Sequence, residues 1–86
     1  FMSSISNIVV WSKDNCPHCT QAKEMLANKK FSFEEKKISR DVTREDLLEA
    51  VPNARSVPQI FMYGKHIGGL KDLQKYFEDH DMWRGD

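Results

Sequence analysis

The sequence predicts a single small α/β domain in which a mixed four-stranded sheet is covered by about three helices. The chain has 86 residues, enough to bury one compact core. Apolar runs of β-favouring residues alternate with segments of helical apolar spacing, in the order βαβαββα. A strand–helix–strand crossover favours parallel pairing, whereas the short turn before the last strand favours an antiparallel hairpin. We therefore expect residues 1–86 to form one domain, with tails at 1–5 and 81–86.

The first half of the chain supplies a strand, a helix and a second strand. Residues 8–11 are β-favouring and stop at turn residues, which predicts a buried strand. From Pro17 onward, apolar residues recur at steps of three and four, which predicts an amphipathic helix ending near residues 28–30. Residues 31–38 alternate imperfectly and predict a second strand. Its charges at 34–37 are expected to lie on a solvated face.

The second half supplies a helix, a hairpin and a last helix. Thr43 and the acidic residues after it are typical of a capped helix start, and Pro52 closes that helix. Strands are predicted at 59–62 and 66–67, joined by a glycine-containing turn at 63–65. Helical spacing predicts the last helix over 70–79. We assign four residues of the helices to the core: Leu47, Leu48, Leu73 and Phe77.

The charge balance argues against a charged macromolecular partner. Lys and Arg total 13, as do Asp and Glu, so the formal net charge is zero and no strong field attracts nucleic acid or a membrane surface. Phe1 and Met2 are not followed by a signal peptide, and no apolar run approaches the length of a membrane span. We therefore expect a cytoplasmic protein, where a pair of thiols is more often catalytic than structural.

The chain has only two cysteines, Cys16 and Cys19. A disulfide closed over about four residues constrains the unfolded chain by only about 2 kcal/mol, so it would be a weak structural cross-link. Zinc would need about four ligands, and besides the strained His18 only His66 and His80 remain, without metal-site spacing. We expect no metal. The spacing favours a disulfide that opens and closes in a redox reaction.

Three separated motifs resemble those of one family. Residues 11–19 (WSKDNCPHC), 55–61 (RSVPQIF) and 68–73 (GGLKDL) resemble the active-site, proline-loop and glycine-pair motifs of dithiol glutaredoxins. The likeness extends from Ile8 to about His80. It implies a thioredoxin-like fold, glutathione as the reducing co-substrate, and disulfide-containing proteins as partners, with ribonucleotide reductase as one client at the family level. A monomer is expected.

The resemblance and helix physics together predict the catalytic roles. If Cys16 lies at a helix start, the unpaired amides and the helix dipole lower its pKa, which makes it the nucleophile. Cys19, one turn inside the helix, is expected to be more buried and protonated, and is then the resolving thiol. Lys13, Pro17, His18 and Pro58 are predicted to tune the redox chemistry. The family usually has tyrosine where this chain has His18; an imidazolium there would lower the pKa of Cys16 further, but a neutral, exposed His18 remains equally open.

Glutathione is predicted to bind along the proline loop and the glycine pair. Val57-Pro58 resembles the family's cis-proline step, which exposes backbone groups to an extended peptide. Ser56 replaces the usual threonine, and Arg55 could reach a carboxylate. The helix start after Gly69 resembles the cradle for the γ-glutamyl carboxylate. The predicted glutathione-binding residues are Lys13, His18, Ser56, Val57, Pro58, Gly69, Leu70, Lys71 and Asp72, with Lys71 departing from the family's acidic residue.

Other functions stay open at this point. A short carrier reduced directly by a flavoprotein reductase would use the same two thiols. A carrier of a [2Fe–2S] cluster would join two monomers and two glutathiones through Cys16, although Pro17 stiffens the loop against this. A non-catalytic binding module is disfavoured because it has no need of two thiols.

Overall fold

A computed structural model describes residues 7–81 of the chain, with side chains described as far as 79. The elements follow the predicted order: β1 (Ile8–Ser12), α1 (Pro17–Asn28), β2 (Glu34–Lys37), α2 (Arg44–Ala50), β3 (Gln59–Met62), β4 (Lys65–Gly68) and α3 (Leu70–Asp81). The predicted tail at 1–5, residues 82–86 of the other tail with Trp83, and the His80 side chain lie outside the described residues. No helix within 7–81 is long and apolar enough to cross a membrane.

The strands form the predicted mixed sheet in the order β2-β1-β3-β4. β1 pairs with β2 in parallel and with β3 antiparallel, and β3 pairs antiparallel with β4. The parallel pair follows from the α1 crossover. In the hairpin, Tyr63 and Gly64 both have positive φ, as a two-residue type I′ turn requires. Because that turn is so short, Lys65 pairs with Met62 and begins β4; its prediction as a turn residue was wrong.

Side chains alternate across β1 and divide the core into two parts. Ile8 and Val10 join the larger cluster with residues of α1, β3 and α3, including Leu73 and Phe77. Trp11 faces the other side and packs with Leu47 of α2 and with Val51, the residue that caps the end of that helix. Three of the four core predictions are thus confirmed. The assignment of Leu48 to the core was wrong, because its side chain is 39% exposed. Consecutive helix residues are rotated by about 100°, so Leu48 points away from the core face on which Leu47 lies.

Two other elements differ from the prediction. β2 covers only four residues, because the Phe31 N–H closes the end of α1 on the Leu26 carbonyl and is not available to the sheet. Its charges do not all face solvent: Glu35 is only 21% exposed and pairs with Lys23 of α1. At the other end of the chain, α3 continues two residues beyond the predicted end, to Asp81.

Candidate active site

Cys16 and Cys19 are joined by a disulfide at the start of α1, so the structure shows the oxidised form of the predicted pair. Cys16 is the N-cap of α1 and has extended backbone angles, and Pro17 takes the first helical position. Proline fits there because that position has no intrahelical partner for an N–H. Cys19 follows within the first turn, with its Cα 5.2 Å from that of Cys16.

The two sulfurs differ in accessibility. Cys16 is half-buried, whereas Cys19 is 1% exposed, as the sequence predicts for a residue one turn inside the helix. The Cys19 N–H donates to the Cys16 Sγ at 3.2 Å. An amide aimed at this sulfur, at the positive end of a helix, favours a thiolate once the disulfide is opened. Cys16 is therefore the sulfur that a substrate can reach.

The proline loop lies directly beside this sulfur. The Val57–Pro58 peptide bond is cis, as the family resemblance implies. The Val57 carbonyl oxygen is 3.7 Å from the Cys16 Sγ, while Pro58 is buried beneath it. Gly69 approaches from the other side: a Cβ built on it would lie 3.5 Å from the Pro58 carbonyl oxygen. The loop thus connects the redox centre with the start of α3.

The start of α3 is capped by the chain itself. The Gly69 N–H donates to the Asp72 carboxylate at 3.0 Å. Gly68 has a φ of +127°, and a Cβ there would lie 2.7 Å from the Asp72 Cγ, so glycine is required. Leu70 packs against the larger core cluster, and Lys71 is exposed. At this helix start the amides of Leu70 and Lys71 lack intrahelical partners, while Asp72 acts as a cap.

Two surface depressions flank the disulfide, and Lys13 lines both. The first, called the Val57 groove here, has a volume of about 330 Å³ and is lined by Lys13, Ile38, Arg44, Leu47, Leu48, Ala54, Arg55, Ser56 and Val57. The second, called the Cys16 depression, is more open, with about 480 Å³, and is lined by Lys13, Asp14, Asn15, Cys16, Pro17, Thr20, Lys23 and Lys37.

The structure therefore brings part of the predicted site together. Lys13, Ser56 and Val57 share the Val57 groove, and Lys13 also meets Cys16 and Pro17 in the Cys16 depression. The remaining predicted residues line neither depression: His18, Cys19, Pro58, Gly69, Leu70, Lys71 and Asp72. His18 is exposed on the first turn of α1.

The Cys16 depression has a positive electrostatic environment. Asp14 would place a negative charge near the sulfur, but Lys37 lies 2.5 Å from its carboxylate. The hydrogen bond and the charge of Lys37 lower the pKa of Asp14, so this carboxylate stays ionised and neutralised. Lys13 forms no ion pair with any residue in the described part of the chain. Lys13 therefore contributes a positive charge, unpaired within the described residues, to the lining of this depression.

Sequence reasoning missed a partly buried charge cluster next to the active-site loop. Ser12, fully buried at the end of β1, donates to Glu35 Oε2 at 2.6 Å, and Lys23 donates to the same oxygen at 2.8 Å. These bonds lower the pKa of Glu35. The cluster ties β1, α1 and β2 together one residue before Lys13. The signal in the sequence was a serine that ends an otherwise apolar strand.

Sequence reasoning also missed the hydrogen bonds by which the Gln59 side chain holds the proline loop. The Gln59 side-chain Nε2 donates to the Ser56 carbonyl at 2.9 Å. Its Oε1 then faces His66 Nε2 at 2.7 Å, so that nitrogen carries the proton and donates. Gln59 is 9% exposed. This amide follows Pro58 directly in a strand of apolar residues, which was the available signal.

The described part of the chain holds no group of three or more histidine, cysteine or carboxylate side chains placed to bind a metal ion.

Comparison with known proteins decides the family. The glutaredoxin family model matches residues 8–67, which include the Cys16–Cys19 pair and the proline loop. Glutaredoxin 3 of Escherichia coli K12 is 35% identical over 69 residues, which cover 80% of this chain and 83% of that protein. The chain belongs to the glutaredoxin family. A glutaredoxin with this disulfide is a thiol–disulfide oxidoreductase, and the sequence prediction of that activity is confirmed.

Other glutaredoxins share the fold. Wheat glutaredoxin superposes with a TM-score of 0.72 at 30% identity, covering 90% of this chain and 73% of that one. A buckwheat glutaredoxin–glutathione complex superposes with a TM-score of 0.77, covering 92% of this chain and 74% of that one; at 24% identity it supports the fold alone. The predicted thioredoxin-like fold is confirmed.

One relative is a larger protein. Hybrid peroxiredoxin hyPrx5 of Haemophilus influenzae is 45% identical over 71 residues, which cover 83% of this glutaredoxin but only 29% of that protein. The chain thus spans less than a third of the length of this relative.

Proposed function

We propose that this glutaredoxin uses glutathione to reduce protein disulfides and glutathione mixed disulfides, with Cys16 as the nucleophile and Cys19 as the resolving thiol. One observation carries the proposal: the half-buried Cys16 sulfur faces the Val57 carbonyl at the N-cap of α1, while Cys19 is buried behind it. A substrate sulfur can approach Cys16 from solvent, and Cys19 can reach only what Cys16 has captured.

The first half of the cycle reduces the substrate. The Cys16 thiolate attacks one sulfur of a substrate disulfide and forms a mixed disulfide, and the second substrate sulfur leaves as a thiolate that takes a proton from water. Cys19 then gives up its proton and attacks the Cys16 sulfur. This closes the Cys16–Cys19 disulfide and releases the other substrate thiolate. The substrate gains two electrons, and the enzyme reaches the state seen in the structure.

The second half returns the enzyme to its dithiol. A glutathione thiolate attacks Cys16 and displaces Cys19, which takes up a proton. A second glutathione attacks the sulfur of the first and leaves as glutathione disulfide, which frees the Cys16 thiolate. Because one Cys16–Cys19 pair completes the cycle, a monomer suffices. A reduced glutathione pool is a property of the cytoplasm, where we expect this protein to act.

The chain's own groups suit the binding of a short anionic peptide. The Val57 backbone beside Cys16 can pair with an extended segment. Lys13 is placed to meet a carboxylate near the sulfur, and the Ser56 hydroxyl lies in the same groove. At the other end of the loop, the amides of Leu70 and Lys71 suit the γ-glutamyl carboxylate. The Asp72 carboxylate accepts from the Gly69 N–H through Oδ2, which leaves Oδ1 for the predicted contact with the glutathione amine.

The test replaces each cysteine in turn. In an assay of a glutathione mixed disulfide coupled to glutathione reductase, Cys16→Ser is expected to be inactive. Cys19→Ser is expected to keep activity there, since glutathione itself can resolve the intermediate, but to lose reduction of a protein disulfide. A Cys16→Ser protein with full activity would overturn the assignment. Reduction by a flavoprotein reductase with glutathione inert would overturn the choice of reductant.

Two classes of client follow. Ribonucleotide reductase is the client that the family resemblance implies. The 45% identity to part of a hybrid peroxiredoxin favours a second client, the oxidised disulfide of a peroxiredoxin. Peroxide consumption by a peroxiredoxin, supported by glutathione only when this chain is present, would identify the second. A visible absorption band in anaerobically purified protein would instead support the [2Fe–2S] alternative.

A further inference from the structure

The Val57 groove has an apolar floor that continues away from the redox centre. Ile38, Leu47, Leu48 and Ala54 line it beyond the proline loop. Leu48 is 39% exposed, one of two large hydrophobic side chains exposed within the described residues. A concave surface with an apolar lining and a few polar groups at its edge is the form that ligand-binding sites take.

Three cations surround this floor without partners. Lys13, Arg44 and Arg55 line the groove, and no carboxylate lines it. Within residues 7–79, none of the three forms an ion pair. Three other cations near the active-site loop do have partners, since Lys23 pairs with Glu35, Lys37 with Asp14 and Arg40 with Asp41. On a chain of zero net charge, the groove is thus a local site for an anion.

Arg44 is unfavourable for the helix that carries it. It occupies the first position of α2, where the positive end of the helix dipole opposes a cation. Its guanidinium gains no ion pair in return within the described part of the chain. Thr43 and Asp46 cap this helix without it. Neither helix capping nor an ion pair therefore explains why an arginine stands at the first position of α2. Contact with an anionic ligand would explain it.

The direction of the bound peptide follows from the two ends of the proline loop. Gly69 and α3 lie on the Pro58 side, and the groove lies on the side of residues 54–57. Glutathione held by its γ-glutamyl group at α3 would have its glycine at the mouth of the groove. A polypeptide bound in the same direction would send the residues after its cysteine into the groove.

We propose that the Val57 groove binds the segment that follows the reactive cysteine in a polypeptide client, and that it selects an apolar side chain followed by a carboxylate. The proposal rests on the proposed function and adds the class of client. A volume of about 330 Å³ accommodates one or two side chains. The apolar side chain would pack on Leu48, and the carboxylate would meet Arg44 or Arg55, with an extended backbone continuing from Val57.

The experiment uses peptides whose single cysteine forms a disulfide with an aromatic thiol. The Cys16 thiolate attacks the peptide sulfur and displaces the aryl thiolate, which has the lower pKa and is coloured. One peptide has leucine and two glutamates after the cysteine, and a second has lysines in place of the glutamates. Glutathione linked to the same aryl thiol is the small substrate. Rates are measured with the reduced full chain.

The glutamate peptide is expected to react about tenfold faster than the lysine peptide at low ionic strength, and this preference is expected to shrink at high salt. Arg44→Glu is expected to slow the glutamate peptide about fivefold, because it replaces an attraction by a repulsion between exposed charges. Leu48→Ser is expected to slow both peptides. Leu48→Ser should leave the rate with the glutathione reagent unchanged, and Arg44→Glu should slow that reagent less than it slows the glutamate peptide, because glutathione reaches only the mouth of the groove. Lys65→Glu, the same charge change on β4 outside the groove, is the control and should change neither peptide rate.

Two results would overturn different claims. Equal rates for the two peptides, or equal effects of Arg44→Glu and Lys65→Glu, would overturn the proposal that the groove selects the client. If the glutathione reagent still reacted, the proposed function would stand. An unreactive glutathione reagent with the peptide ranking intact would overturn the glutathione assignment and uphold the groove.

Discussion

Replacing Glu35 by leucine tests the partly buried cluster of Ser12, Lys23 and Glu35 next to the active-site loop. In the native protein the Glu35 carboxylate accepts from the Ser12 hydroxyl at 2.6 Å and from Lys23 at 2.8 Å. Ser12 is completely buried, and water cannot replace the lost acceptor. The substitution therefore leaves a buried hydroxyl without its partner and a lysine without its counter-ion.

The expected loss of stability can be estimated from these contacts. An unsatisfied buried donor costs roughly 1–3 kcal/mol, and a partly exposed ion pair contributes about 0.2–1 kcal/mol. Some of this is offset because leucine buries apolar surface at a site that is 21% exposed. We expect Glu35→Leu to lower the free energy of unfolding by about 2 kcal/mol. For a domain of this size that is a fall in Tm of roughly 8–16 °C.

The assay is urea unfolding of a double-mutant cycle. Removing the hydroxyl as well, in Ser12→Ala/Glu35→Leu, should restore about 1 kcal/mol, because replacing both polar partners can be nearly neutral. Since its partners lower the Glu35 pKa from 4.5, its stabilisation is present above pH 4.5 and is lost as the pH falls through the lower folded value. The gap between wild type and Glu35→Leu should therefore narrow in acid. An unchanged free energy of unfolding in Glu35→Leu would refute this account. Strictly additive effects of the two substitutions on that free energy would refute it as well.

Three further predictions follow from single contacts. Gly68→Ala places a Cβ against the Asp72 carboxylate at positive φ and should cost more than about 1 kcal/mol in urea unfolding, so unchanged stability would contradict the assigned cap. The hydrogen bond from the Arg40 guanidinium is the main reason that the pKa of Asp41 is lowered to about 2. In Arg40→Gln the Asp41 pKa measured by NMR titration should rise toward 3.8, and an unchanged pKa would show that Arg40 is not the cause. Gln59→Leu removes the hydrogen bond from the Gln59 side chain to the Ser56 carbonyl and should raise the KM for glutathione about threefold to tenfold, with a smaller change in kcat. An unchanged KM would show that the proline loop keeps its conformation without this bond.

The order of elements could be predicted because local signals and topology agree. Apolar periodicity located every strand and helix, and the crossover and glycine turn fixed which pairs are parallel. The start of α1 was equally clear, since Pro17 suits only a first turn. The prediction that Cys19 is more buried than Cys16 followed from helix geometry alone and is confirmed.

The errors arise where tertiary contacts decide. Four charged residues in a row predict a solvated strand, and only the packing of α1 beside β2 shows that Glu35 has a buried serine and a lysine as partners. The exposure of Leu48 depends on where α2 lies over the sheet. The use of Asp72 Oδ2 as a cap was also not predicted, because it depends on how Gly69 leads into α3; the predicted contact of Asp72 with glutathione stays a prediction.

The charged strand β2 also has a consequence for association between chains. It lies at one edge of the sheet, where unpaired backbone groups can recruit another extended chain. All four of its side chains are charged, so a strand added there would have to dehydrate Glu34 and neighbouring charges that already hold partners. This edge therefore resists aggregation. The charged edge thus keeps extended chains away from β2, whereas the proposed pairing of a substrate peptide with Val57 takes place outside the sheet, beside Cys16.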